Sequence, residues 1–486
     1  TEEASGMIYL NHNSTEPLYK QIYEQLRDGI VEGSMPTDTP LESLRVMEKE
    51  LDVSRNTVDR AYQQLVAEGY VRSSQGLGYF VEDIESFGIN RVTHPSDRSN
   101  AEPRPTHPPE VRYDFAYESI QTDLFPWNRW RRYAKEAITR EEQKVTIAYE
   151  SSKGNLELRE ALRDFLFRHR GVKCTPEQIV ICPGTQYAMQ IILSLFDPRA
   201  DRVAYENPGY LAMRYFIEQR GFRVTSVPVL ESGIASKILA GTTCNLLYAT
   251  PSHQFPTGAV MSIGTRNQLL TWAYTNDNTY IIENDYDSEF RHGCLPIPSL
   301  QSLDRYQKVI YIGTLSKMMS PTIRCAYLVL PWTLLDRYEQ RYRFFNAMLP
   351  TYHETAIARM ITDGALEKHI RKLSIANDRK YTALLAAMKK HLAGCMEIIH
   401  DPAGVHTVVR IPRCADQNAL LDDLEKRQIR IYSFAEHCQV KSPAYEDLFI
   451  MGYSALAEDG IDEACAALAQ ALSEIYPRNA GPACRA

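Results

Sequence analysis

The stretch Val309-Ile310-Tyr311-Ile312-Gly313-Thr314-Leu315-Ser316-Lys317 decides the fold of the larger part of this chain. Its apolar, β-branched beginning predicts a buried strand, and Lys317 follows where that strand ends. A lysine at a strand end, beside small hydroxyl side chains, favours a partly desolvated amine that can attack an aldehyde. Seven residues further on, Arg324 can hold a phosphate through two parallel hydrogen bonds.

An earlier strand, turn and helix supply the other half of an anion site. Residues 179–182 indicate a strand, residues 183–186 (Pro-Gly-Thr-Gln) a turn, and a helix begins near Tyr187. Backbone amides at such a helix start bind anions. Between the two halves, residues 281–286 predict a strand that ends in acidic and phenolic groups, and Tyr210 offers an aromatic face. Each of these segments alone is weak evidence for a binding site, since a lone Ser-Lys pair is usually a surface feature. Their order along the chain is what supports the prediction.

The pattern around these segments predicts the class of fold. Short β-branched runs alternate with helical stretches from residue 113 to about residue 477, which is typical of an α/β architecture with a mostly parallel sheet. Residues 84–112 are rich in proline and lack apolar periodicity, so we predict a linker there. The sequence contains no run of about 18 apolar residues, so it predicts no membrane span. The ten cysteines form no C-x-x-C pair, which indicates neither a metal site nor a disulfide framework and favours the cytoplasm.

Residues 15–83 predict a separate domain of three helices and a hairpin. The apolar stripe of its first helix consists of Leu18, Ile22, Leu26 and Ile30. A short second helix lies around Met47, Ser54 opens a third, and residues 70–81 form a two-stranded hairpin with a Gly-containing loop. Elements in this order are typical of a winged helix-turn-helix.

The side chains suited to DNA lie at the start of the third helix, the part of such a motif that enters the major groove. We predict DNA contacts from Arg45, Ser54, Arg55, Asn56, Thr57 and the wing tip, Gln75-Gly76. Charge argues the other way, because residues 1–85 hold 7 Lys and Arg against 16 Asp and Glu, a net charge of −9. The alternative is a small helical dimerisation or docking domain whose arginines are merely solvated.

Both blocks resemble known families. Residues 17–81 resemble the DNA-binding domain of GntR-type bacterial regulators, through Val53-Ser54-Arg55-Asn56-Thr57-Val58 and the Gly-Leu-Gly-Tyr-Phe-Val segment that ends at Val81. Residues 113–477 resemble the fold-type-I aminotransferases, whose cofactor is pyridoxal 5′-phosphate (PLP), and above all the MocR family of regulators. The motifs that carry this likeness are Phe125-Pro126-Trp127, Leu158-Arg159-Glu160-Ala161, Thr250-Pro251-Ser252-His253-Gln254-Phe255-Pro256-Thr257-Gly258 and Asp285-Tyr286-Asp287-Ser288-Glu289-Phe290-Arg291.

The resemblance implies a fold and a set of site residues. The fold is a winged helix-turn-helix followed by a fold-type-I PLP-dependent transferase-like large domain with a smaller C-terminal α/β subdomain. Lys317 would form the internal aldimine with PLP, Tyr210 would stack on the pyridine ring, and Tyr286 would hydrogen-bond the 3-hydroxyl. The phosphate would be bound by Thr185, Gln186, Ser316 and Arg324, with Gly184 permitting the tight turn.

Two positions depart from the family's catalytic pattern. Aminotransferases place an Asp against the pyridine nitrogen, whereas the aligned residue here is Asn284, with Asp285 one residue further on. Adjacent side chains of a strand point to opposite faces, so Asp285 cannot simply substitute unless the alignment slips by one residue. Phe255 replaces the Asn that commonly precedes Pro-Thr-Gly and removes a partner of the 3-hydroxyl.

These departures favour a sensor over a catalyst. Residues 449–453 lack the Arg that binds the substrate carboxylate in many aminotransferases, and Arg410 and Arg430 are the candidate replacements. We predict a cytoplasmic, homodimeric transcription regulator that binds a double-stranded DNA operator and senses a small amino compound through aldimine exchange at Lys317. Its rivals are a working aminotransferase with a DNA-binding appendage, a sensor of PLP itself, and a scaffold that binds no PLP.

Overall fold

The computed structural model describes residues 8–12, 14–83, 111–119, 123–144, 148–290, 297–399 and 404–476. Within these ranges no helix combines the length and the apolar character that a membrane span needs. The chain divides into two units, residues 1–107 and residues 108–486. Most of the predicted linker, residues 84–110, lies outside the described residues.

The smaller unit contains three helices and a hairpin. These are α1 (Leu18–Val31), α2 (Leu44–Leu51), α3 (Arg55–Ala67), β1 (Val71–Ser74) and β2 (Gly78–Val81). The strands pair antiparallel from Val71 opposite Val81 to Ser74 opposite Gly78. The predicted winged helix-turn-helix is confirmed in its elements and their order.

The smaller unit has its own hydrophobic core. Ile22, Leu26 and Ile30 of α1 are buried against α3 and the hairpin, as the apolar stripe predicts. Ser54 caps α3, since its hydroxyl oxygen accepts a hydrogen bond from the Thr57 amide. This cap fixes where α3 begins and leaves its first turn exposed.

The larger unit is built on an eight-stranded mixed sheet. Its strands are β4 (Ile179–Cys182), β5 (Arg202–Asn207), β6 (Arg223–Leu230), β7 (Gly233–Ile234), β8 (Leu246–Ala249), β9 (Tyr280–Asp285), β10 (Val309–Thr314) and β11 (Ala326–Val329). They are arranged in the order β4-β11-β10-β9-β8-β5-β6-β7. Strands β6, β5, β8, β9 and β10 are mutually parallel, whereas β11 and β7 run antiparallel to their neighbours.

Helices cover both faces of this sheet, which explains why its central strands are buried along their whole length. Every residue of β8, β9 and β10 is buried. The helices of the larger unit up to residue 362 are α4 (Trp127–Glu142), α5 (Leu156–Arg170), α6 (Thr185–Ser194), α7 (Leu211–Gln219), α8 (Ser236–Ala240), α9 (Ile263–Tyr274), α10 (Trp332–Tyr342) and α11 (Thr351–Thr362). Because parallel strands end at the same edge, the residues that follow β5, β8, β9 and β10 gather there.

A smaller subdomain follows the central sheet. Its elements are α12 (Ala365–His391), β12 (Glu397–Ile398), β13 (His406–Arg410), α13 (Gln417–Lys426), β14 (Ile429–Arg430), β15 (Tyr432–Ser433), β16 (Leu448–Gly452) and α14 (Ile461–Ile475). The sheet order is β12-β13-β16-β15, all antiparallel. Strand β14 pairs instead with β3 (Tyr113–Asp114), so the first strand of the larger unit is anchored to its last subdomain.

Gly452, at the end of β16, lies where two segments approach most closely. A Cβ there would lie 2.1 Å from the carbonyl oxygen of Ala116 and 2.6 Å from the Cα of Tyr117. We expect Gly452→Ala to lower the free energy of unfolding of the larger unit by about 2–3 kcal/mol, because a backbone must move. Denaturant unfolding measures this. The control is Gly460→Ala, whose nearest contact would be 4.0 Å away, and equal stabilities for the two variants would contradict the expectation.

Candidate functional site

A cavity of about 220 Å³ opens at the edge of the central sheet where the parallel strands end. The lining residues are Tyr117, Glu118, Gly184, Thr185, Tyr210, Met213, Thr250, Phe255, Asn284, Tyr286, Thr314, Ser316, Lys317, Pro321 and Arg324. Nine of them lie in the last two residues of β9 or β10 or within three residues after β4, β5, β8, β9 or β10. The topology therefore brings together segments that lie more than a hundred residues apart in the sequence.

Lys317 provides the nucleophile of this cavity. It lies in the turn after β10, and its Nζ is 4.9 Å from the centre of the Tyr286 ring. Burial among these groups lowers the pKa of the Lys317 amine, while the charges of Asp287 and Glu118 act in the opposite direction. A lowered pKa leaves more of the amine unprotonated at neutral pH, which is the form that attacks a carbonyl carbon.

The residues around Gly184 form a cradle for an anion. Gly184 precedes α6 with φ +108°, and a Cβ there would lie 2.4 Å from Nη2 of Arg324. Glycine therefore gives the Arg324 guanidinium room beside the free amides of the first turn of α6. The hydroxyl oxygen of Ser316 is buried and has no hydrogen-bonding partner among the described residues. A cation, helix amides and an unsatisfied hydroxyl fit a phosphate group.

Asn284 and Asp285 point to opposite sides of the central sheet. Asn284 lines the cavity, and its Nδ2 donates a 2.8 Å hydrogen bond to the Tyr248 hydroxyl. The Asn284 Oδ1 is buried and unpartnered among the described residues. Asp285 accepts hydrogen bonds from Nε of Arg170 at 2.6 Å and from the Tyr311 hydroxyl at 2.5 Å, and does not line the cavity. The charged carboxylate is thus neutralised behind the sheet, and a neutral amide faces the cavity.

Tyr286 is held by a buried histidine–carboxylate pair. Nδ1 of His253 lies 2.8 Å from Asp287 and 3.0 Å from the Tyr286 hydroxyl. Because one nitrogen carries at most one proton, a His253 that donates to the Asp287 carboxylate cannot also accept from Tyr286. The Tyr286 hydroxyl then keeps its own proton for an acceptor in the cavity. Desolvation lowers the pKa of the neighbouring His406 to about 3, so this ring stays neutral.

Aromatic side chains form the opposite wall. The ring of Phe255 lies 5.2 Å from that of Tyr117 and 5.6 Å from that of Tyr210, nearly perpendicular to the latter. The Tyr210 hydroxyl donates a 3.0 Å hydrogen bond to Oε1 of Glu118. Phe255, which replaces the family's Asn, therefore makes this part of the cavity apolar.

The predicted site residues divide into those that share the cavity and those that do not. Gly184, Thr185, Tyr210, Asn284, Tyr286, Ser316, Lys317 and Arg324 line it. Gln186 lies on the first turn of α6, is exposed and does not line the cavity. Asp285 is buried and does not line the cavity either. Tyr117, Glu118, Met213, Thr250, Thr314 and Pro321 were not predicted. Thr250 and Thr314 directly follow β8 or end β10, and this position is a signal that could have identified them.

The two arginines considered for a substrate carboxylate lie elsewhere. Arg410 forms an ion pair with Asp447 at 3.2 Å. Arg430 pairs with Glu425 at 2.5 Å and with Asp114 at 3.6 Å. Neither lines the cavity, so each cation is already matched by carboxylates outside it.

The first turn of α3 presents polar side chains to solvent. Ser54, Arg55 and Asn56 are exposed, and Thr57 is half-buried. The other residues predicted to contact DNA, Arg45, Gln75 and Gly76, are also exposed. Gly76, with φ +78°, forms the tip of the β1–β2 loop. No ion pair holds Arg45 or Arg55 among the described residues of this unit, whereas Arg27 and Arg72 are paired with carboxylates.

Comparison with known proteins identifies both units. Residues 18–81 match the family of bacterial regulatory proteins of the gntR type, and residues 119–468 match the aminotransferase class I and II family. The chain is 31% identical to the uncharacterised HTH-type transcriptional regulator YdeL of Bacillus subtilis, over 94% of this chain and 96% of that protein. It is 30% identical to the probable rhizopine catabolism regulatory protein MocR of Rhizobium meliloti, over 85% of this chain and 86% of that protein.

The larger unit also matches solved structures of aminotransferases. A kynurenine aminotransferase from Pyrococcus horikoshii superimposes with a TM-score of 0.66 at 23% identity, covering 76% of this chain and 92% of that enzyme. An archaeal alanine:glyoxylate aminotransferase gives a TM-score of 0.66 at 25% identity, covering 75% and 91%. The similarity to the kynurenine aminotransferase, at 23% identity, establishes the fold of the larger unit and not its activity.

Proposed function

Since this chain belongs to the MocR family of transcription regulators, we propose that it binds operator DNA through its smaller unit and senses a small primary amine through PLP held in its larger unit. The observation that carries the proposal is the cavity itself. It combines a nucleophilic lysine and an anion cradle with a neutral amide where a catalyst needs a carboxylate. A DNA regulator of this kind acts in the cytoplasm.

The cavity residues divide the work of holding the cofactor. Arg324, the Ser316 hydroxyl and the first-turn amides of α6 would bind its phosphate, and the Tyr210 ring would pack on its pyridine. The Tyr286 hydroxyl, with its proton left free by His253, donates to the phenolic oxygen. When bound, the cofactor supplies an aldehyde carbon that condenses reversibly with a primary amine. The Lys317 amine, which lies in the cavity, would hold the cofactor through that carbon and would be released as a free amine by a competing primary amine.

Asn284 makes binding, rather than turnover, the expected outcome. A carboxylate beside the pyridine nitrogen would keep a proton there and draw electrons into the ring, which amine transfer requires. The Asn284 amide either accepts from or donates to that nitrogen, depending on which of its ends faces the cavity, and it carries no charge. The site therefore favours an amine that binds and stays.

Regulation requires that the amine bind one conformation of the protein better than another. We expect a homodimer, since two weakly binding, acidic reading units gain affinity when they are joined on one operator. Release of Lys317 by the amine would change a contact inside the cavity and in this way could shift the conformational equilibrium.

A visible absorbance titration tests the proposal. The PLP-loaded protein is mixed with a panel of primary amines and a 2-oxo acid, and operator binding is measured under the same conditions. An absorbance band that shifts with one amine and then stays constant, together with a change in operator affinity, is the expected result. Repeated turnover of amine to the 2-oxo acid would identify a working aminotransferase instead. A response of operator affinity to PLP alone would identify a sensor of the cofactor.

Asn284→Asp is expected to convert the sensor towards a catalyst. The new carboxylate would face the cavity beside the Tyr248 hydroxyl and stabilise a protonated pyridine nitrogen. We expect the single-turnover rate of amine transfer to the cofactor to rise on the order of 100-fold. Rapid-mixing absorbance measures this rate. Asn284→Ala, which removes the amide without adding charge, is the control, and an equal rate for both variants would refute the assigned role of Asn284.

A further inference from the structure

We infer that the amine sensed in this cavity is a diamine, whose second, cationic amino group is bound by Glu118. The inference rests on the proposed function, because it assumes that Lys317 and Arg324 are engaged by the cofactor. It names the chemical class of the effector, which neither the likeness to aminotransferases nor the family of regulators specifies.

The charges that line the cavity lead to this class. Among the described residues that line the cavity, only Glu118, Lys317 and Arg324 have acidic or basic side chains. Once the cofactor's aldehyde and phosphate engage Lys317 and Arg324, the remaining charge that faces a ligand is the Glu118 carboxylate. An effector that carries a cation away from its reacting amine complements this charge, and one that carries an anion does not.

The position of Glu118 suits it to contact a ligand. Oε1 of Glu118 accepts the hydrogen bond from the Tyr210 hydroxyl at 3.0 Å, which orients the carboxylate, and Oε2 has no hydrogen bond among the described residues. No Lys or Arg of the described residues forms an ion pair with Glu118. Glu118 is exposed, so a ligand can reach this oxygen, and an ammonium group would replace water there through a charge-assisted hydrogen bond.

The walls beside Glu118 also favour a cation. The rings of Tyr117, Tyr210 and Phe255 pack against one another at 5.2 and 5.6 Å and line the cavity next to the carboxylate. The Tyr117 and Phe255 rings, which the proposed function leaves free of the cofactor, can attract an ammonium group through their quadrupoles and cover the methylene chain between two amines. A carboxylate at this place would lie against apolar rings and beside the like charge of Glu118.

Among the described residues that line the cavity, Lys317 and Arg324 are the only cations that could pair with a substrate carboxylate. Arg410 and Arg430 lie outside the cavity and are paired with Asp447, and with Glu425 and Asp114, respectively. An α-amino acid would therefore leave its carboxylate unpaired, which is costly when it is taken out of water.

Three probes of equal chain length test the inference. Putrescine carries a second cation, n-butylamine carries no second charge, and γ-aminobutyrate carries an anion at the same distance. The titrated quantity is the concentration that half-shifts the absorbance band of the PLP-loaded protein, relative to the same titration of free PLP. We expect putrescine to act at a concentration about tenfold or more below that of n-butylamine, with γ-aminobutyrate the weakest. The preference must exceed twofold, because putrescine has two equivalent amines.

Glu118→Gln supplies the decisive variant. Glutamine keeps the shape and can still accept the hydrogen bond from Tyr210, but it removes the charge, so putrescine should bind no better than n-butylamine apart from the factor of two. The quantity compared is the ratio of the putrescine and n-butylamine concentrations, because Glu118 also acts on the pKa of Lys317 and its substitution can shift the response to every amine. The control is Glu231→Gln, which removes a carboxylate that is exposed and outside the cavity lining, and it should keep the full preference. The wild-type preference should also weaken as salt is added.

The outcomes separate this inference from the proposed function. If all three probes shift the band equally, if γ-aminobutyrate acts best, or if Glu118→Gln keeps the preference, the diamine is excluded while amine sensing stands. If no primary amine shifts the band of a protein that carries PLP on Lys317, amine sensing itself fails, and the inference fails with it.

Discussion

Lys317→Ala is expected to abolish covalent attachment of PLP to this protein. Lys317 is the one lysine among the residues that line the described cavity, and burial lowers the pKa of its amine. Without that amine no other group of the lining can bond to the cofactor's aldehyde. The phosphate cradle of Gly184, Ser316 and Arg324 is untouched, so we expect PLP to bind reversibly and more weakly, by on the order of 100-fold.

Borohydride reduction followed by peptide mass spectrometry measures this attachment. In the wild-type protein the reduced cofactor should be found on the peptide that contains Lys317, and in the variant on none. Lys426→Ala, which removes an exposed lysine paired with Asp423, is the matched control and should label as the wild type does. Labelling of a different lysine in Lys317→Ala at wild-type yield would show that the nucleophile has been misassigned. The variant should also lose the effect of the amine on operator affinity.

The second large effect is expected in DNA binding. We expect the double variant Arg55→Ala/Asn56→Ala to lower operator affinity by about 100-fold or more, because each base contact contributes about 1–3 kcal/mol of discrimination. Both side chains are exposed on the first turn of α3. The net charge of −9 over residues 1–85 gives the unit little general attraction for phosphates, so few contacts compensate for those two.

Fluorescence anisotropy on a DNA fragment that the wild-type protein selects from a random pool measures this loss. Arg27→Ala is the control, since it removes one positive charge from the same unit at a residue already paired with Asp28. We expect its affinity to lie within about threefold of the wild type. Two similar losses would indicate general electrostatics instead of base reading, and an unchanged affinity of the double variant would remove α3 as the reading helix.

Periodicity predicts the parts of this fold that depend on local sequence. The apolar run at residues 309–314 is a buried strand, and the stripe from Leu18 to Ile30 is the buried face of α1. Alternation along a strand also predicts that Asn284 and Asp285 face opposite sides. Local rules suffice there because neighbouring residues determine the outcome.

Contacts between distant segments could not be predicted in this way. The approach of residues 116–117 to Gly452 joins segments more than 300 residues apart, and it brings Tyr117 and Glu118 to the cavity wall. Nothing in the residues around Glu118 indicates that a folded chain places this carboxylate against Tyr210. The same holds for Arg410 and Arg430, whose ion pairs depend on β16 and on the β3–β14 pairing.

The setting of Asn284 has a consequence for the chemical ageing of the protein. An asparagine deamidates when the next backbone nitrogen attacks its side-chain amide, and the product includes aspartate. That nitrogen belongs to Asp285, the last residue of β9, whose register with Gly313 fixes it within the central sheet. The buried strand denies the chain the rotation that the ring closure needs. A stored preparation therefore should not drift towards the catalyst that Asn284→Asp would create. Asn284 should deamidate more slowly than exposed asparagines of the chain, so the amine response should be retained on storage.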